Sequence, residues 1–308
     1  MIVVAGATGT LGPLLVPLLV ARGEPVRVVT RDPERGRRFE GVEVVGADVC
    51  TPEGAREAVA GARVVISAIT GFASPAGVRA VDERGNQMLA TAAADAGAER
   101  FILVSVAQAS SDHPIELFRA KAAAEAAVRS SGIAWTIVRP TAYLETWLGI
   151  VGGPMVASGK ALIFGRGRNP INFVSAVDVA RTIEHAVTAP IEARRTIDVP
   201  GPQNLTLLDL VDIVRGFTGG SGSSRQIPRG MLRVLSVVLR PVNRMRAQQI
   251  AAALVMDTRG MAVDGPAIRA IDPSIPMTSA AEVAAALFGA AARNVAAGGS
   301  SNPGAASS

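Results

Sequence analysis

The chain has 308 residues, of which 49% are hydrophobic and 19% charged, with a mean hydropathy of +0.33. That is enough for a full buried core, and it excludes wholesale disorder. One cysteine, Cys50, and two histidines, His113 and His185, exclude an intrachain disulfide and argue against any metal site, while a formal charge of +5 spread along the chain is not a nucleic-acid footprint.

The opening "MIVVAGATGTLG" has no basic leader segment, and no stretch reaches the roughly 18–20 uninterrupted apolar residues of a membrane span. With a single thiol, this points to the cytoplasm. "MIVVAG" is then a buried strand, and "VVAGATGTLG" places Gly6, Gly9 and Gly12 directly after it, at the start of a helix over 10–22. Gly6 suits a tight turn, Gly9 lets a backbone approach a pyrophosphate, and Gly12 permits close packing. The first N–H groups of the helix then face the phosphates, and Thr8 and Thr10 add hydroxyls. Pro17 lies inside this helix and predicts a kink.

"PVRVVTRD" is a second strand. A carboxylate at this strand end would choose NAD; here Thr30 and Arg31 stand instead, with Arg35, Arg37 and Arg38 following, which favours the 2′-phosphate of NADP over NAD. Asp32, before Pro33, reads as the cap of the next turn. Strands continue at "VEVVGAD", "ARVVISAIT", "RFILVS" and "AWTIVRP", with helical segments near 52–60, 76–96 and 114–131 between them. Apolar strands separated by helices predict a Rossmann-type, doubly wound parallel sheet, α/β in class.

After about residue 145 the alternation weakens. The expected organisation is a Rossmann domain over 1–150, to which 171–200 returns, a mixed substrate-binding or lid region over 151–292, and a disordered tail over 293–308. "NFVSAVDVARTIEHAV" reads as a helix returning to the sheet, with Asp178 as a structural cap, and "RTIDVPG" as one more strand. "LTLLDLVDIVRGFTG" is a helix capped by Thr206, "GGSGSSR" over 219–225 a flexible loop, and "TSAAEVAAALFGAAAR" a last helix capped by Thr278 or Ser279. The segment 225–246 is helical, broken near Pro241, and interleaves Arg225, Arg229, Arg233, Arg240, Arg244 and Arg246 with leucines and valines. It reads as a lid over an apolar substrate cleft with its arginines solvated outside; contact with an anionic membrane surface is the alternative.

"GATGTLG", "TRDPER", "GADV", "FILVS", the helix "LFRAKAAAE" and "SGIAWTIVRPTAYLETW" occur in the order, and with the character, that resembles the atypical short-chain dehydrogenase/reductases of the NmrA-like branch, over about residues 1–200. The resemblance implies that Thr8, Gly9, Thr10 and Leu11 lie over the pyrophosphate and Arg31 meets the 2′-phosphate. It also implies that Asp48 and Val49 flank the adenine, and that Ala68, Ile69 and Thr70 approach the ribose. Ser105 and Val106 would lie under the nicotinamide ribose, and Pro140, Thr141 and Ala142 beside the nicotinamide.

Mainstream relatives use a serine, a tyrosine and a lysine, the last two spaced Y-x-x-x-K on one helical face. Here the lysine is Lys121, one of only two in the chain, but the tyrosine position holds Leu117 and the serine position Val106. Lys121 is then either a surface residue paired with Glu125, or a ribose contact and substitute acid. Tyr143, the sole tyrosine, and Trp147 are candidates to line the substrate cleft, with Glu145 beside them, and Tyr143 is a second candidate acid. His113 reads as a solvated loop residue and His185 as a bystander on its helix. The expected activity is NADPH-dependent reduction of a small or apolar conjugated carbonyl or quinone, by a monomer or homodimer. The alternatives are a non-catalytic dinucleotide sensor, or a redox-neutral epimerase or dehydratase.

Overall fold

The computed structural model describes residues 1–74, 76–188, 194–218, 223–263 and 277–298. In its first half, strands and helices alternate: β1 (Ile2–Ala5), α1 (Gly12–Ala21), β2 (Val26–Thr30), α2 (Pro33–Gly36), β3 (Val42–Gly46), α3 (Pro52–Val59) and β4 (Val64–Ser67). A π-helical turn, Arg79–Gly85, leads into α4 (Asn86–Asp95), followed by β5 (Arg100–Val104), α5 (Glu116–Ser130) and β6 (Ala134–Pro140). The chain then leaves through β7 (Ala142–Tyr143), α6 (Leu144–Ser158), β8 (Lys160–Phe164) and β9 (Ile171–Val174), and returns through α7 (Ala176–Thr188) and β10 (Arg195–Val199). It continues with β11 (Gln203–Leu205), α8 (Leu207–Gly216), β12 (Ser223–Ile227), α9 (Arg229–Val238), α10 (Arg244–Thr258) and α11 (Ala280–Gly298).

The main sheet has the order β10-β6-β5-β4-β1-β2-β3, with every pairing parallel. Its two faces follow from side-chain alternation along apolar strands. Ile2, Val4, Val28, Ile66 and Ile102 pack beneath Leu15 and Leu19 of α1 and Val179 and Ile183 of α7. Val3, Ala5, Val65, Phe101 and Leu103 pack beneath α3, α4 and α5 through Ala58, Leu89 and Val128. The order reverses beside β1, between β2 and β4, and in such sheets that is where a crevice opens at the carboxyl ends of the strands.

The second half forms its own apolar core, with Leu148 of α6, Ile163 of β8, Phe173 of β9, Leu210 of α8 and Ala284 of α11. Two small sheets hold it, β11-β9-β7 and β12-β8. Several expectations change here. Residues 171–174 are a strand of the small sheet, not the start of a helix. Helix α1 contains Pro17, whose side chain is exposed. Asp178 does not cap its own helix: it accepts hydrogen bonds from the Thr278 backbone N–H at 2.8 Å and hydroxyl at 2.6 Å, tying α7 to the approach of α11. Ser279 and Glu282 form the capping pair of α11, which extends to Gly298, into the stretch expected as tail. The rest of that tail, and 219–222 of the loop expected at 219–225, lie outside the described residues; 223–225 begin β12. Thr206 caps α8 with Asp209 as its reciprocal partner, as its position implied.

Candidate dinucleotide and active site

The glycine loop joins β1 to α1, and its three glycines do different work. Gly6 has φ +86°, and a Cβ there would stand 2.6 Å from the Ala68 backbone at the end of β4. At Gly12 a Cβ would fall 1.6 Å from the Ala7 carbonyl oxygen, so this glycine serves the loop's own closure more than helix–strand packing. At Gly9 the nearest protein atom to a Cβ would be 3.4 Å away, so no internal contact demands a glycine; the open side belongs to whatever lies over the loop. Leu11 is the N-cap of α1 and gives no side-chain cap, and the first turn carries no acidic residue. Leu14 and Leu15 N–H close onto the Leu11 carbonyl and Pro13 has none, so the positive end of the dipole is what an anion would meet here, with Thr8 and Thr10 on the rim.

Beside the loop, Arg31 is exposed at the end of β2. Its neighbours have separate tasks. Arg35 and Arg38 donate to the carbonyl oxygens of Thr8 and Ala7 at 3.3 and 3.4 Å, and Arg37 pairs with Glu34. Asp32 caps α2 by accepting from Glu34 N–H, as expected. Arg31 is thus the guanidinium of this group that neither the glycine loop nor Glu34 engages. Asp48 is exposed after β3 and holds the Cys50 N–H, while Val49 is buried. Burial, then the Asp48 charge, pushes the Cys50 thiol up to about 11, which makes it inert as a nucleophile.

The floor of the crevice is a buried polar network. Ile69 and Ala68 follow β4, with Thr70 exposed beyond them. Ser67 donates to Asn86 at 2.6 Å, and Asn86 to the Asp82 carbonyl at 2.7 Å. Asp82 sits on the π-helical turn and accepts from Gly71 N–H at 2.7 Å. Lys121 reaches into this network: its Nζ donates to the carbonyls of Ile69 at 2.9 Å and Val104 at 3.0 Å, and forms an ion pair with Asp82 at 3.0 Å. The Asp82 oxygen in that pair has no other donor, so the ammonium is the group that answers its charge. The surface pairing of Lys121 with Glu125 is overturned: Lys121 is buried, and Glu125 turns elsewhere.

Glu125 accepts from the Ser105 hydroxyl at 2.6 Å, from Arg139 at 2.8 and 2.5 Å, and from Arg129 at 2.9 Å. Burial raises its pKa, but the Arg139 and Ser105 hydrogen bonds and the Arg139 charge together outweigh that and hold it below the usual range. The Ser105 hydroxyl proton is thus committed to Glu125, just after β5, and Val106 and Leu117 are both partly buried.

The stretch after β6 is ordered by polar contacts of its own. Pro140 ends the strand; Thr141 donates to Asn172 at 2.9 Å; Ala142 and Tyr143 pair with Phe173 and Val174 as β7. Glu145 does not face a cleft: it accepts from the Ser175 hydroxyl at 2.7 Å and from Ala176 N–H at 3.0 and 2.9 Å, holding the N-terminus of α7. Trp147 packs edge-on against Phe173, ring centroids 6.4 Å apart. Tyr143 is half-buried; burial, then the Glu145 charge, drives its phenol well above its usual pKa. His113 is buried, stacked on Phe118 at 4.1 Å and accepting Ile115 N–H on Nδ1, where a solvated loop residue was expected; burial lowers its pKa. His185 is exposed on α7. Among the described residues no group of His, Cys, Asp or Glu could hold a metal ion.

A parallel sheet in this order, with a glycine loop feeding an uncapped helix at its switch point, defines a dinucleotide-binding Rossmann protein. A family described as NAD(P)H-binding matches residues 6–190, and the chain belongs to it, as an NmrA-like atypical short-chain dehydrogenase/reductase. It is 32% identical over 208 residues to the (4-alkanoyl-5-oxo-2,5-dihydrofuran-3-yl)methyl phosphate reductase of Streptomyces griseus, covering 67% of this chain and 70% of that one. It is 25% identical over 238 residues to the photosystem II assembly factor Ycf39 of Synechocystis, covering 76% of this chain and 72% of that one. Among solved structures, the Escherichia coli NADPH-dependent quinone oxidoreductase crystallised with NADPH superposes with a TM-score of 0.75 at 19% identity, covering 94% of this chain and 100% of that one.

Proposed function

We propose that the protein is an NADPH-dependent reductase of a small, apolar, conjugated carbonyl compound. The carrying observation is the pairing of an intact dinucleotide cradle with a proton-transfer set that lacks its tyrosine and serine. Leu117 can neither give nor take a proton, and Val106 cannot orient a carbonyl oxygen. An isolated ketone needs both services as hydride arrives. A conjugated acceptor places the developing charge away from the attacked carbon, on an oxygen that solvent can protonate. The Streptomyces reductase supports the conjugated acceptor, since its named substrate is a 5-oxo-2,5-dihydrofuran bearing an alkanoyl group, although that substrate is also a phosphate ester and not apolar.

The bound dinucleotide would supply the hydride. The chain's own residues bind and orient. Gly9, Thr10, Leu11 and Gly12 hold the pyrophosphate on the helix dipole, and Arg31 holds a 2′-phosphate, which selects NADPH over NADH. Asp48 and Val49 bracket the adenine, and Ala68, Ile69 and Thr70 the adjoining ribose. Lys121 lies beneath the nicotinamide ribose, whose floor also includes the Ser105 backbone, while Pro140, Thr141 and Ala142 wall the nicotinamide. Tyr143 and Trp147 contribute apolar surface to the substrate, and the proton comes from Tyr143 or from solvent.

A second reading, a non-catalytic dinucleotide sensor, draws on the same missing groups and on the likeness to an assembly factor. One assay separates them. NADPH oxidation is followed against a panel of quinones and enones. Turnover with at least one, lost with NADH and reduced about tenfold or more in Arg31→Ala, is expected. Tight NADPH binding with no oxidation across the panel would assign the sensor role instead.

A further inference from the structure

We propose that α9 is a docking helix for an anionic membrane surface. An amphipathic helix on a globular protein ordinarily turns its apolar stripe inward. Helix α9 turns Leu232 inward, with Leu235 and Leu239 half-buried on the same side, but it carries a second apolar face as well. Leu232 is its one buried side chain, whereas Met231, Val234, Val237 and Val238 are exposed, and Val242 in the following turn is 84% exposed. Spacings of three and four residues place Met231, Val234 and Val238 on one stripe, with Val237 beside it. The residue at the start of the helix fixes this orientation: Arg229 donates to the Asp257 carboxylate at 2.5 Å and to its carbonyl at 2.6 Å, pinning α9 to α10.

The charge around the stripe identifies its occupant. No acidic residue occurs between Asp212 and Asp257. Arg229 and Arg244 are paired internally, with Asp257 and Glu116. Arg233, Arg240 and Arg246 are exposed and make no ion pair among the described residues. Valines and a methionine facing outward between unpaired guanidinium groups suit a lipid headgroup layer: the apolar chains enter the acyl boundary while the cations meet phosphates. A second copy of this chain suits it poorly, because a two-fold contact brings the same arginines face to face. No helix among the described residues is long and apolar enough to cross a membrane, so the contact is peripheral and reversible. It would leave the dinucleotide crevice, which is built on other elements, free to work.

The test is flotation of the full-length protein with vesicles of phosphatidylcholine, with and without phosphatidylglycerol. The protein should rise with the anionic vesicles only, and added salt should release it. Arg233→Gln with Arg240→Gln should weaken partition roughly thirtyfold, the loss of two basic contacts. Val234→Ser, Val237→Ser and Val238→Ser together should abolish it while circular dichroism and the thermal melt stay unchanged, since these side chains are already exposed. Wild type left at the bottom with anionic vesicles, or the triple serine variant floating like wild type, would overturn the proposal. So would a dimer in light scattering that the triple variant dissolves, because the face would then belong to a second copy.

Discussion

Lys121 is one of two lysines among 31 basic residues, and its surroundings show what an arginine would forfeit there. A compact ammonium on a long stem reaches two backbone carbonyls, Ile69 and Val104, at the ends of two neighbouring strands, and the Asp82 carboxylate beside them. A planar guanidinium is larger and cannot converge on three acceptors from one point. Breaking a buried pair by removing one member typically costs about 3–5 kcal/mol. Lys121→Ala should therefore lose stability of that order in urea denaturation without cofactor, and Lys121→Arg should not restore it. A variant with unchanged stability and weakened NADPH binding only would confine Lys121 to the cofactor. The sequence marked this residue, through its rarity and its register with a reductase lysine. It could not show the burial, because Asp82 belongs to a different helix and only its π-helical turn aims it inward. Glu125 was concealed in the same way: its apparent partner four residues earlier lost to Arg139, which a parallel strand delivers.

At the scale of elements, legibility tracked how local the signal was. The glycine loop and the seven strands of the main sheet announce themselves within a few residues each. Strands β8 and β12 do not, because Lys160–Phe164 pairs with Ser223–Ile227, whose residues are mostly polar and exposed and show no alternation. The amphipathic pattern of α9 was visible in the sequence, but not that valines would remain exposed on the side away from Leu232. The loop glycines yield a paired test. Gly12→Ala puts a methyl against the Ala7 carbonyl and should destabilise by about 1–3 kcal/mol, seen as a lowered Tm. Gly9→Ala meets no protein atom closer than 3.4 Å, so it should keep its Tm and instead weaken NADPH binding about tenfold or more. Equal Tm losses in both variants would mean that Gly9 is there for the fold.

At the scale of the molecule, the return of 171–200 to the first 150 residues, expected from the sequence, matters for stability. Helix α7 and strand β10 come from beyond residue 150, yet Val179, Ile183, Ile197 and Val199 complete the core that covers α1 and β1. A fragment ending at 150 would leave that face uncovered and β6 as an unpaired edge. Expressed alone, it should partition into aggregates, whereas a fragment carried through β10 should yield more soluble protein; equal solubility would show that the first six strands suffice. The same pairing sets a timetable on the ribosome. β6 ends at Pro140 and its partner at Val199, and at roughly 5–20 residues per second the nascent edge waits about 3–12 s for its neighbour to be made. During that interval the growing chain is a natural client for chaperones, so its yield in the cell should depend on the elongation rate between Pro140 and Val199.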